Sequence, residues 1–132
     1  MQRIRFFIFA IMVLGSSFCS AQNSKKENDA SASNKVEAYY FHFNTRCETC
    51  RAVEAQAKTD ILSLYPGEAT FTAINLDDAS SKPIAEKLRI SGQTLLIVKG
   101  DKKLNLTNEG FMYATTNPAK LKSIIKQKVD AL

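Results

Sequence analysis

The stretch VEAYYFHF, Val36 to Phe43, is apolar on both faces and rich in aromatic and β-branched residues. Such a segment reads as a central strand that needs cover on each side. A fold that contains it must therefore pack a layer over both faces of a sheet. The residues that follow are as specific. NTRCETCRAVE places Cys47 and Cys50 at C-x-x-C spacing, and from there Val53, Ala57, Ile61 and Leu64 recur at helical spacing.

Tyr65-Pro66-Gly67 stops that helix. ATFTAINL, Ala69 to Leu76, alternates like a strand. A second helix follows, with Ser80 or Ser81 as its cap, Pro83 in its first turn, and Ile84, Ala85 and Leu88 as its buried face. TLLIV, Thr94 to Val98, is another buried strand. Gly100-Asp101 turns the chain into KLNLT, Lys103 to Thr107, an edge strand. Asn117 caps a last helix with Pro118 in its first turn and Leu121, Ile124, Ile125 and Val129 as its apolar face. Lys120, Lys122, Lys126 and Lys128 form its solvated face. The order is β-α-β-α-β-β-α, an α/β fold. A right-handed βαβ unit and a hairpin share one mixed four-stranded sheet, covered by helices on both faces.

The chain of 132 residues has room for one ordinary domain. Its start, MQRIRFFIFAIMVLGSSFCSAQ, has a basic region at Arg3 and Arg5, an apolar run from Phe6 to Leu14, and small residues ending at Ala21. That is the layout of a secretory signal peptide over residues 1–21, and the apolar run is short for a membrane span. Lipoprotein processing at Cys19 is the alternative, and the bulky Phe18 fits it poorly. QNSKKENDASASNK, residues 22–35, lacks aromatic and large aliphatic side chains and reads as a disordered leader or tether. The folded domain is then 36–132. The formal charge of +5 includes Arg3 and Arg5. Their removal lowers the basic count from 18 to 16 against 13 acidic residues, leaving +3, too little to argue for nucleic acid. Only Cys47 and Cys50 remain, an even count that suits an oxidising compartment. The expectation is an exported, periplasmic protein, a monomer, touching a membrane only if Cys19 is lipidated.

Both cysteines fall where the first strand passes into the first helix, the end of a parallel strand at which α/β sites gather. At the helix start, Cys47 would meet free N–H groups and the positive end of the helix dipole, both of which favour thiolate over thiol. Arg46 and Arg51 add positive charge and Glu48 opposes it. Cys47 is the expected nucleophile. Cys50, one turn on and deeper, is the expected resolving thiol.

The C-x-x-C after a buried strand, opening a helix in a βαβαββα order, resembles the thioredoxin-like superfamily over essentially all of Val36 to Leu132. YYFHFNTRCETCRAVE is similar to small exported bacterial thioredoxin-like proteins, some labelled as arsenic-resistance or nitrophenyl-nitroreductase subunits. The resemblance implies a dithiol–disulfide site with no cofactor. Cys47 and Cys50 would serve a protein thiol or disulfide substrate and a redox partner. Arg46, Glu48, Thr49, Gln93 and Thr94 would face the substrate or tune the thiols. Family members carry a cis-proline before the third core strand, and here Gln93 stands in that place, facing Cys47. A cis bond before a non-proline residue costs about 3–4 kcal/mol, so a trans loop is expected. Reductive thioredoxins read Trp-Cys-Gly-Pro-Cys with a buried acid just before. This chain has no Trp, reads Arg46-Cys47-Glu48-Thr49-Cys50, and has Phe41 where the acid would be.

Three other readings stand beside dithiol exchange. C-x-x-C is half of a tetrahedral zinc site, but no second pair exists and His42, the only histidine, reads as a partly buried strand residue. With no proline shielding it, the pair could hold Cu(I) or a trivalent arsenical. A purely structural disulfide would close a very short loop and stabilise little. A redox-inactive thioredoxin-like module would use the Gln93 loop to hold a partner. Asp77-Asp78 reads as a loop and cap feature, and Glu54 and Glu86 as solvated helix residues.

Overall fold

The computed structural model describes residues 34–132. The segments read as a signal peptide and a leader fall outside the described residues, apart from Asn34 and Lys35. Strand β1 is Val36–His42, helix α1 Glu48–Leu64 and strand β2 Ala69–Asn75. A 3-10 turn, Ala79–Ser81, leads into helix α2, Lys82–Leu88. Strands β3, Thr94–Lys99, and β4, Lys102–Asn105, form the hairpin, followed by helices α3, Thr107–Tyr113, and α4, Pro118–Asp130. Among the described residues no helix is long and apolar enough to cross a membrane.

The four strands lie in the order β2-β1-β3-β4. β1 runs parallel to β2, from Val36 opposite Ala69 to His42 opposite Asn75. It runs antiparallel to β3, with Phe41 opposite Thr94. The carboxyl ends of both parallel strands and the start of β3 therefore meet at one edge of the sheet. The loops that leave or enter there are forced together, which is where the cysteines lie.

Alternation along β1 divides the core. Val36, Ala38 and Tyr40 pack with Leu95 and Ile97 under α1, α3 and α4, whose contributions include Val53, Ala57, Ile61, Leu106, Leu121, Ile125 and Val129. Phe41 packs on the other face with Leu96, Val98 and Ala85, flanked by Tyr39, Ile84 and Leu88. Both faces of the central strand are covered, as its composition requires.

Two elements differ from the sequence reading. First, β4 ends at Asn105 rather than Thr107, and a helix not expected from the sequence follows. The side-chain oxygen of Asn105 accepts from the Thr107 N–H at 3.0 Å and from the Thr107 hydroxyl at 2.6 Å, a local turn that ends the strand and starts α3. Leu106 is fully buried at that corner. Gly110 lets α3 lie close on α1: a Cβ there would sit 2.9 Å from Val53 Cγ1. Second, Ser81 stands at the cap position of α2 but makes no capping bond. Its hydroxyl donates to the Asp78 carbonyl at 2.7 Å, because the chain enters α2 through the 3-10 turn. The α4 lysines are all exposed, as read from the sequence, and three of the four also find partners. Lys126 pairs with Asp130, Lys128 with Glu109, and Lys120 lies 4.4 Å from the Tyr113 ring centre.

Candidate functional site

Cys47 is the N-cap of α1, in extended conformation at φ −76° and ψ 167°. Its Sγ accepts from the Cys50 backbone N–H at 3.3 Å, so the sulfur occupies the position a capping oxygen would take. Cys47 is exposed and Cys50 is 6% exposed, and both are free thiols. The strand-to-helix loop is held from two directions. The Asn44 N–H donates to Asp77 Oδ2 at 2.6 Å, and the Asn75 amide donates to Asn44 Oδ1 at 2.7 Å. On the other side Arg46 forms an ion pair with Glu54, two turns into α1. Both partners are only about a quarter exposed, at 26% and 25%.

Behind Cys50 lies a closed ring of hydrogen bonds. Cys50 Sγ donates to Gln93 Oε1 at 3.5 Å. Gln93 Nε2 donates to the Tyr40 hydroxyl at 2.6 Å, and that hydroxyl donates to the Cys50 carbonyl at 2.9 Å. Burial raises the Tyr40 phenol to about 12. The Gln93 hydrogen bond and the Arg46 charge pull it down, and charge at Cys50 and Glu54 pushes it up. Burial also raises the Cys50 thiol. Hydrogen bonding from the Cys47 and Gln93 side chains and from the backbone of Cys47 and Cys50 outweighs it, and the thiol lies below its ordinary value.

The residues singled out in the sequence occupy different places. Cys47, Arg46, Cys50 and Gln93 come together. Glu48 is exposed in the first turn of α1, and Thr49 is half-buried beside it. Together with Arg51, Ala52 and Thr115 they line a shallow groove between α1 and the end of α3. Thr94 is buried, and its hydroxyl donates to the Gly92 carbonyl at 2.9 Å, fixing the loop rather than lining the site. Gln93 was expected to face Cys47. Its amide instead hydrogen-bonds Cys50, because Tyr40 draws the long side chain inward. Glu54 was expected to be solvated and is half-buried in the Arg46 pair. Two site residues were missed, Tyr40 and Glu54. Tyr40 carried a usable signal: on the covered face of a central strand its hydroxyl needs a buried partner. His42 is half-buried at the end of β1, its Nδ1 3.1 Å from the Phe43 carbonyl. Among the described residues no set of three His, Cys, Asp or Glu side chains gathers as a metal site.

No protein-family model matches this sequence, and no curated protein is significantly similar to it. Solved structures do resemble the fold. Trxlp from Edwardsiella tarda superposes with TM-score 0.51 at 17% identity, over 74% of this chain and 87% of that one. Thioredoxin O2 from Arabidopsis thaliana, in its oxidised state, gives 0.51 at 22% identity, over 76% of this chain and 84% of that one. Human ERp44 in its zinc-bound form gives 0.50 at 18% identity, over 80% of this chain but 30% of that longer one. The chain has the thioredoxin-like fold: an α/β domain with a mixed four-stranded sheet and helices on both faces.

Proposed function

We propose that this protein exchanges thiols and disulfides through Cys47 and Cys50. The observation that carries the reading is the pairing of an exposed Cys47 at the cap of α1 with a buried Cys50 one turn along, whose N–H points at the Cys47 sulfur. The helix N-terminus supplies free N–H groups where negative charge on Cys47 develops. Cys47 attacks one sulfur of a partner disulfide R–S–S–R′. The Cys47–S–S–R bond forms, and R′S⁻ leaves and takes up a proton. Cys50 then attacks Cys47 Sγ, the bond to R breaks, and RS⁻ leaves. Two electrons pass from the dithiol to the partner, and the reverse sequence oxidises a partner dithiol. The substrate class is a protein thiol or disulfide, with a second redox partner to reset the pair.

Export to an oxidising compartment belongs to the same reading. Its support is the pattern of Arg3, Arg5 and the apolar run from Phe6 to Leu14. The measurement that checks the exchange reading is reduction of a protein disulfide by the full chain with a chemical dithiol as electron source. Cys47→Ser reduces the rate to background. Cys50→Ser accumulates a mixed disulfide with the substrate that gel electrophoresis without reductant detects. A wild-type chain no faster than the Cys47→Ser chain, with no trapped species, sinks the proposal.

A further inference from the structure

Resting on that dithiol reading, we propose that Gln93 is the positioning residue that manages the proton of Cys50, its carboxamide turning over as the buried thiol ionises. The ring formed by Cys50, Gln93 and Tyr40 has two self-consistent hydrogen-bond patterns. In the thiol form, Cys50 S–H donates to Gln93 Oε1, Gln93 Nε2 donates to Tyr40, and Tyr40 donates to the Cys50 carbonyl. A thiolate has no proton to give and needs a donor. A half-turn of the carboxamide brings Nε2 to the sulfur and Oε1 to the phenol, at the same two heavy-atom distances. The Tyr40 proton then swings from the Cys50 carbonyl to Oε1. That carbonyl lies inside α1, where the helix ladder supplies its other donor.

A carboxamide suits this place because it carries a donor and an acceptor on one rotor and no charge. Carboxylate there would repel the thiolate, and a proline would offer neither group. Tyr40 orients the amide and does not act as the base, since burial keeps its phenol protonated throughout the range in which thiols exchange. When Cys50 attacks the mixed disulfide at Cys47 Sγ, the S–S bond to the substrate breaks. The departing RS⁻ takes up a proton equivalent to the one Cys50 released, so Cys50–SH and Cys47–S–S–R become the Cys47–Cys50 disulfide and RSH. Gln93 holds no proton at any stage. The charged and titratable groups around the ring are Cys47 at the cap of α1, the Arg46–Glu54 pair, and His42 on β1, its ring 6.3 Å from that of Tyr40.

The test follows Cys50 alone, in the full chain carrying Cys47→Ser, by thiolate absorbance against pH. Adding Gln93→Met is expected to lower the thiolate fraction roughly tenfold at any pH below the midpoint, the worth of one hydrogen bond to a charged sulfur. Tyr40→Phe is expected to act in the same direction and to add nothing once Gln93→Met is present, because both break one ring. In the same Cys47→Ser chain with Gln93 retained, the side-chain N–H resonances of Gln93 should move with the Cys50 midpoint. An unchanged thiolate fraction in a folded Gln93→Met chain overturns the proposal. So do Gln93 resonances that stay fixed through the titration, and these decide the matter alone if Gln93→Met does not fold. Intact disulfide exchange with a silent Gln93 removes only this switch. A responsive Gln93 without exchange removes the dithiol reading instead.

Discussion

Asp60 sits inside the contact between α1 and α4 at 2% exposure, with Gln56 Nε2 donating to its Oδ1 at 2.9 Å and no partner for Oδ2. Burial raises its carboxyl above the usual range, against the opposing pull of the Gln56 hydrogen bond and the Lys122 charge. The unfolded chain therefore gives up this proton first as pH climbs past about 4. Stability from the protonated Asp60 is full below that point and is lost as pH rises through the folded value. Asp60→Asn keeps the Gln56 bond and removes the buried charge. The Asn Nδ2 stays as unpaired as Oδ2 was, so the gain comes from the charge alone: stability should rise at pH 7, with the gain shrinking as pH falls toward about 4. Thermal melts of both chains at the two pH values check it. At this scale the sequence was legible where a residue's role depends on its neighbours in the chain. Cys47 and Cys50 declare themselves by spacing, and Asn117 by the Pro118 after it. Asp60 and the Arg46–Glu54 pair did not, since charged residues on a helix look alike until the opposing surface is known.

Arg89 ends α2 in the left-handed region, at φ 60°, and its N–H bonds the Ala85 and Glu86 carbonyls. A side chain in that conformation costs roughly 1–2 kcal/mol, which glycine avoids in part against its greater freedom when unfolded. Arg89 is exposed, so Arg89→Gly should stabilise by about 0.5–1 kcal/mol. The urea midpoint should rise at an unchanged slope. The strands and long helices were readable because their periodicity repeats over many residues. α3 was not. It has seven residues with a glycine in the middle, and its start depends on an Asn105 side chain that closes a turn. The pair of Lys128 and Glu109 joins α3 to α4 across nineteen residues of sequence.

Over the whole molecule, one register decides where the cysteine pair lies. Because β1 and β2 run parallel and β3 returns against β1, three chain segments meet at one edge. The general position of the dithiol followed from that topology. The hydrogen-bond ring did not, because its members are 43 and 53 residues apart and nothing local marks them as partners. The same long-range construction ties the site to packing some way off. Gly110 faces Val53, which is fully buried and one helical turn from Cys50. Alanine in a helix normally gains about 1 kcal/mol over glycine, but forcing a methyl against a stiff β-branched side chain costs roughly 1–3 kcal/mol. With the cost ahead, Gly110→Ala should melt roughly 4–8 °C lower for each kcal/mol lost. The substitution touches no sulfur, so activity below the melt should be ordinary. In genetic terms position 110 is a ready-made conditional allele. Cells carrying Gly110→Ala would keep the folded protein in the cold and lose it on warming, with the dithiol left chemically unaltered.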